Sequence, residues 1–186
     1  MAVRPLLTIG NPVLRQVARP LTRDEILSAE VRTLIDDMID TMHHEEGIGI
    51  AAPQIGESVQ LAVMEIAVDS ERYPDTNPFE MAVFVNPRVS VLDAAEQGYW
   101  EGCLSVPGLR GLVHRPRGVR VDYLNLHGDP ASIVADGFMA TVFQHELDHL
   151  GGVLFIDRIR DTRMLATTDN YVRFWLNRPG EQRTSE

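Results

Sequence analysis

Gln144-His145-Glu146-Leu147-Asp148-His149 decides how this chain is read. The stretch lies within Asp136 to Leu150, where Phe138, Met139, Val142, Phe143, Leu147 and Leu150 recur at helical steps until Gly151-Gly152 ends the run. That is the pattern of a helix with a buried face and a glycine stop. Residues four apart on a helix project from one side, one turn apart, so His145 and His149 can reach a single cation. Glu146 is placed to touch a water on that cation without ligating it. This is the logic of H-E-x-x-H: two ligands and a general base from one turn of helix. The bland alternative is a polar helix face that happens to carry two histidines. The apolar surroundings speak against it, because buried imidazoles need partners and a metal supplies them.

A catalytic site of this type takes three protein ligands and keeps a position for water. Downstream of His149 there is no histidine, and the only glutamates are Glu181 and Glu186. The third ligand is therefore expected upstream. Cys103, the single cysteine, stands in Glu101-Gly102-Cys103-Leu104-Ser105 and is the best candidate. A lone cysteine is commonly an inert buried residue, but the missing ligand favours the metal role. A structural site would need four protein ligands, and the sequence offers three.

Outward from the motif, residues 22–44 read as one amphipathic helix. Leu27, Val31, Leu34, Ile35, Met38 and Met42 form its stripe, and Thr22 with Glu25 makes a possible capping box. Val59 to Val68, Ala82 to Val85 (ended by Asn86-Pro87) and Val119 to Leu126 read as strands. Asp69 to Glu80 reads as a polar loop, Val153 to Ile156 as extended, and residues 167–177 as a terminal helix. The expected fold is α+β: one domain with antiparallel or mixed sheets packed around a central metal-binding helix. Residues 1–160 would form the catalytic domain, and 161–186 a C-terminal helix and frayed tail.

Composition narrows the function. The chain has 186 residues, 44% hydrophobic, enough for a real core. The formal net charge of −10 argues against a nucleic-acid surface. All 17 basic residues are arginine, which excludes a lysine nucleophile, a Schiff base and a G-K-[ST] phosphate loop. One cysteine allows no intrachain disulfide. The N-terminal stretch, broken by Arg4, Pro5 and Pro12, does not read as a signal peptide. No stretch approaches the roughly 18 apolar residues of a membrane helix. A cytoplasmic protein without membrane attachment is expected.

Three separated motifs, in order, resemble the peptide deformylase family: Gly47-Ile48-Gly49-Ile50-Ala51-Ala52-Pro53-Gln54, Glu101-Gly102-Cys103-Leu104-Ser105 and Gln144-His145-Glu146-Leu147-Asp148-His149. Asn11-Pro12-Val13-Leu14-Arg15, Ala135-Asp136-Gly137 and Leu154-Phe155-Ile156-Asp157-Arg158 support the likeness, which spans roughly residues 5–160. Ile50 stands where that family usually has leucine, a volume-conserving change. The resemblance implies removal of the formyl group from the N-terminal formyl-methionine of nascent polypeptides, with release of formate. It implies one divalent metal on Cys103, His145 and His149 with water as the fourth ligand, natively Fe(2+), with Zn(2+), Ni(2+) or Co(2+) possible in preparations. One thiolate and two imidazoles suit any of these ions. Metal-bound hydroxide would attack the formyl carbon, with Glu146 as general base and then acid. The Gln54 side-chain amide and the Leu104 backbone N–H would hold the developing oxyanion. N-formylmethionyl peptides are the implied substrates, and a transient ribosome contact is compatible with the near-neutral tail.

Other residues carry two readings. Gly47 and Gly49 are a loop after a helix, or backbone that an extended substrate approaches closely. Ile48, Phe138, Val142 and His145 line a pocket for the methionine side chain, or simply pack. Asp148 orients an imidazole, or is a surface carboxylate. Glu101 is expected in an ion pair whose partner the sequence does not name. His43 and His44 read as an exposed helix end, His114 and His127 as solvated, and Trp100, Phe174 and Trp175 as packed. A general zinc endopeptidase shares the helix motif but wants a ligand downstream. A metal-bearing relative without turnover is opposed by the intact Glu146 and Gln54.

Overall fold

The computed structural model describes residues 2–67 and 78–176. Thr22 and Glu25 do form a capping box on helix α1 (Arg23–Ile26): Glu25 N–H donates to the Thr22 hydroxyl at 3.3 Å, and Thr22 N–H to the Glu25 carboxylate at 2.8 Å. The single helix expected over 22–44 is two. The chain breaks at Leu27-Ser28 because the Ser28 hydroxyl accepts from Val31 N–H at 3.2 Å and starts helix α2 (Ala29–His44) afresh. Val31, Ile35, Met38 and Met42 are buried on one side of α2, as the spacing requires. Leu27, outside both helices, is exposed. Asp37 is buried too, and accepts from Ala2 N–H and from Arg4 Nε, which fastens the N-terminal segment across α2.

Strands β1 (Gly49–Ala51), β2 (Leu61–Ile66), β3 (Phe79–Cys103), β4 (Val106–Leu124) and β5 (Pro130–Asp136) form one antiparallel sheet in that order. Strand β6 (Leu165–Thr167) pairs with β4 at Leu109–Gly111. The expected strand Ala82–Val85 does not end at Asn86-Pro87. It continues as the 25-residue β3, because the extra residue is absorbed as a bulge: Val85 pairs Leu124, and Arg88 pairs Asp122. Asn86 adopts a φ of 49° there and exchanges two 2.8 Å hydrogen bonds with the backbone of Leu21. Phe79 and Glu80, expected in a loop, are strand; residues 68–77 lie outside the described part. Strand β4 begins far earlier than Val119.

Helix α3 (Gly137–Leu150) packs across this sheet. Phe143 meets Phe84 and Phe79 edge-on at centroid distances of 5.2 and 5.8 Å, and Val119, Val121 and Met64 complete that core. A second cluster buries the α2 stripe on Ile50, Leu61 and Val63. Each such side chain contributes about 1.5–3 kcal/mol on burial. In the first cluster, Ala140, Val142 and Phe143 before the histidines and Leu150 after them hold α3 on either side of its motif. After it, Gly152 at φ +72° passes so near Arg15 that a Cβ would sit 2.6 Å from that carbonyl oxygen. Of the extended run expected at Val153–Ile156, Leu154 is extended, but a 3-10 turn takes over from Phe155 to Arg158. The Asp157 carboxylate imposes it by accepting from Leu154 N–H at 2.8 Å. Helix α4 (Thr168–Phe174) follows β6. The α+β, single-domain expectation holds, with the sheet antiparallel. Among the described residues, no helix is long and apolar enough to cross a membrane.

Candidate metal centre

Strands β3 and β4 meet at a two-residue turn, Leu104-Ser105, with Cys103 paired to Val106 at its base. This hairpin end reaches α3. Cys103, His145 and His149 each offer a ligand atom within 4.8 Å of the others. The Cys103 Sγ lies 3.3 Å from His149 Nε2. His145 Nδ1 is engaged with Glu101 Oε2 at 2.8 Å, which leaves its Nε2 for the cluster. The pair of rings is T-shaped at 5.3 Å, as the four-residue helical spacing dictates, and Phe155 stacks on His145 from behind.

The donors fit a cation. Burial holds the His149 pKa well below its ordinary value, so the ring is neutral, as a ligand must be. Burial opposes charge on His145 as well, yet the Cys103 sulfur and the Glu101 carboxylate hold its pKa well above the usual one. Negative charge therefore converges where a cation would answer it. Among the described residues, two buried side-chain atoms lack a hydrogen-bond partner: Glu146 Oε2 and His149 Nδ1. Orphaned buried polar atoms are costly and cluster at functional sites.

Glu146 is 6% exposed, and burial pushes its carboxyl up to about 7. It projects against β1: a Cβ on Gly49 would stand 2.6 Å from Glu146 Cδ. A side chain there would force the Glu146 carboxyl to move. Gln54 is fixed from one side, since its Oε1 accepts from Ala51 N–H at 2.8 Å. Its amide nitrogen must then point inward, where it lies 3.6 Å from Cys103 Sγ and 3.3 Å from Ser105 Oγ. Gln54 sits in a 3-10 turn, Ala52–Ile55, that begins at Pro53's neighbour Ala52 and is buried throughout.

Behind these residues stands a network of which the sequence suggested only the Glu101 ion pair, without its partner. Glu101 takes a two-pronged ion pair from Arg115, at 2.6 and 2.9 Å. Arg115, 2% exposed, also donates to Asp148 at 2.8 Å. Asp148 binds Arg115 and Arg158. The carboxylate that orients an imidazole is thus Glu101, on His145. Burial would raise the Glu101 pKa, but the Arg115 and His145 hydrogen bonds hold it below the usual carboxylate value. A buried Glu101 needs a cation, and Arg115, in the register of β4 opposite Gln97, supplies it.

Two cavities adjoin at His145 and Glu146. One, about 260 Å³, is bordered by Gly47, Ile48, Gly49, Gln54, Cys103 and Leu104. The other, about 330 Å³, is bordered by Ile48, Phe138 and Val142 among others. All four residues expected around a side-chain pocket, His145 included, border the larger one. His43, His44, His114 and His127 are exposed and apart from the cluster, as expected, with His43 bonded to Glu65. Trp100 and Trp175 pack, but Phe174 is 49% exposed and carries the Arg173 guanidinium over its ring.

The "Polypeptide deformylase" family model matches residues 3–164. A peptide deformylase of Leptospira biflexa is 42% identical over 170 residues, covering 91% of this chain and 95% of that protein. One of Brucella suis is 43% identical over 159 residues, 86% of each. The Met-Ala-Ser-bound structure of a class I type b peptide deformylase from Acinetobacter baumannii superposes with a TM-score of 0.81 at 38% identity. It covers 85% of this chain and 99% of that one. A Synechococcus elongatus peptide deformylase in complex with actinonin gives 0.76 at 37% identity, covering 87% and 81%.

Proposed function

This chain belongs to the polypeptide deformylase family, whose members are metal-using hydrolases that remove N-formyl groups from nascent peptides, and from that premise we propose that its substrates begin with formyl-methionine and that Glu146 moves the protons. The observation that carries the reading is the convergence of Cys103, His145 and His149 beside the unpartnered, buried Glu146 carboxylate. Cys103, His145 and His149 would hold one divalent cation. When bound, such a cation supplies Lewis acidity and lowers the pKa of water in its open position towards roughly 7. On the family resemblance, the native ion is ferrous iron; zinc, nickel and cobalt suit the same donors.

The protein residues do the rest. Glu146 accepts a proton from water and delivers it to the departing amine, so that formate and a free N-terminus leave together. Its carboxyl at about 7 is suited to both directions of transfer at neutral pH. The Gln54 amide, held by Ala51, and the Leu104 N–H, at the hairpin turn, donate to the oxygen that gains charge. Glu101, backed by Arg115, keeps His145 in the tautomer with Nε2 facing the cation. Strand β1 is the terminal strand of the sheet, so an extended peptide can lie along Gly47–Gly49 as an added strand. Ile48, Phe138 and Val142 receive its first side chain. Formyl specificity is steric in this reading: a small closed site accepts hydrogen on the carbonyl carbon and excludes larger acyl groups. Encounter with the substrate at the ribosome is part of the same reading.

Formyl-Met-Ala-Ser and an internal, N-acetylated peptide offered side by side test it. Formate from the first and no cleavage of the second is expected. Chain cleavage without formate would replace the reading with endopeptidase activity.

A further inference from the structure

The larger cavity has two walls. One comes from the motif-bearing elements already described. The other comes from the chain after the family-matched residues 3–164: Thr168, Tyr171, Val172 and Leu176. On α4, Thr168, Tyr171 and Val172 stand at the i, i+3, i+4 spacing that puts side chains on one face. That face borders the cavity, together with Phe138, Val142 and Glu146.

The segment is fixed in place by independent contacts. Strand β6 pairs in register with Leu109–Gly111 of β4. The Thr167 hydroxyl accepts from Asn170 N–H at 3.3 Å and starts α4. Trp100, itself a lining residue, packs on Tyr171 and on Trp175, each at a centroid distance of 5.1 Å. Three aromatic rings thus clamp the helix over the cavity mouth. Aromatic pairs of this kind are both apolar and geometrically specific, which makes a wall rather than a loose flap.

We propose that α4 is a part of the substrate site, and that Tyr171 and Val172 are specificity-determining residues for the first side chain. This rests on the deformylase reading above. A largely apolar cleft selects a long, unbranched apolar side chain, because added apolar contacts reward length and a close wall rejects bulk. Tyr171 and Val172 border the larger cavity and not the one lined by Gln54, Cys103 and Leu104, so they act on binding more than on turnover.

Val172→Trp and Tyr171→Ala in the metal-loaded full chain test this. For Val172→Trp, KM for formyl-Met-Ala-Ser is expected to rise about tenfold, with kcat within about twofold. KM for formyl-Ala-Ala-Ser is expected to stay unchanged. Tyr171→Ala is expected to lower KM for formyl-Phe-Ala-Ser. Calorimetric binding of Met-Ala-Ser to Val172→Trp should weaken in step with KM. The proposal is overturned if both variants leave Met-Ala-Ser affinity and every KM unchanged, or if Val172→Trp weakens the Met and Ala peptides by the same factor. If the unaltered chain binds Met-Ala-Ser but releases no formate from formyl-Met-Ala-Ser, the deformylase reading fails, while weaker Met-Ala-Ser binding to Val172→Trp still supports the wall.

Discussion

Replacing Arg115 with methionine separates the network behind the ligands from the ligands themselves. Arg115 is almost wholly buried and binds two carboxylates, Glu101 through Nε and one terminal nitrogen and Asp148 through the other. Methionine retains much of the apolar volume but no charge. Breaking a buried pair by removing one partner costs about 3–5 kcal/mol, because the remaining charge is left in low dielectric. Asp148 retains Arg158, so most of the loss falls on Glu101. For a domain of this size the melting temperature should fall by roughly 6–20 °C. The pH dependence should change as well. In the unaltered protein the Glu101 pKa is lowered, so its contribution is present above the ordinary carboxylate value of 4.5 and is lost as pH falls through the lower, folded-state value. Without Arg115, burial dominates and the gain of stability on raising pH through the acid range should flatten. Metal affinity should drop about 10–100-fold, since Glu101 no longer steadies His145. Urea unfolding of the metal-loaded chain at several pH values, with competitive chelation for affinity, measures all three. A loss under about 1 kcal/mol with unaltered metal affinity would refute the reasoning.

Other outcomes follow from the same geometry. Glu146→Gln should cut formate release by about 10²–10⁴-fold while metal content per chain is retained; in the unaltered enzyme, kcat/KM should fall on acidification through a pKa no higher than about 7, as the Glu146 carboxylate takes up a proton and can no longer accept one from water. Gly49→Ala places a methyl 2.6 Å from the Glu146 carboxyl carbon, so activity should drop more than about tenfold and stability by about 1–3 kcal/mol, read from kinetics and thermal melts.

How far the sequence could be read depended on how many faces an element buries. Helix α3 was legible because its apolar steps and its histidine pair agree on one period. The β3–β4 ribbon was not: most residues from Val89 to Trp100 are exposed or half-buried, so no alternation marks them, and Pro87 imitates a strand end. Ser28 was hidden inside an unbroken helical stripe, where a cap and an interior serine look alike. In the site, His145, His149 and Glu146 announce themselves by spacing and Cys103 by the lack of a third ligand downstream, whereas the role of Gln54 rests on resemblance and the Ala51 bond shows only how its amide is turned. Arg115 was hidden among neighbouring arginines, because linear order does not show which of them β4 turns inward. A buried Glu101 was the one available signal for it. Neither reading of Asp148, as an imidazole's partner or as a surface carboxylate, named Arg115 and Arg158, for the same reason: helical position shows which face a carboxylate shares, but not what crosses to it from elsewhere in the chain.

The most direct test of the account is X-ray absorption at the metal edge on zinc-loaded protein. One sulfur at about 2.3 Å, two imidazole nitrogens at about 2.0–2.1 Å and one exchangeable oxygen are expected, with the sulfur lost in Cys103→Ser. A coordination shell without sulfur, or one closed by a fourth protein donor, would contradict it.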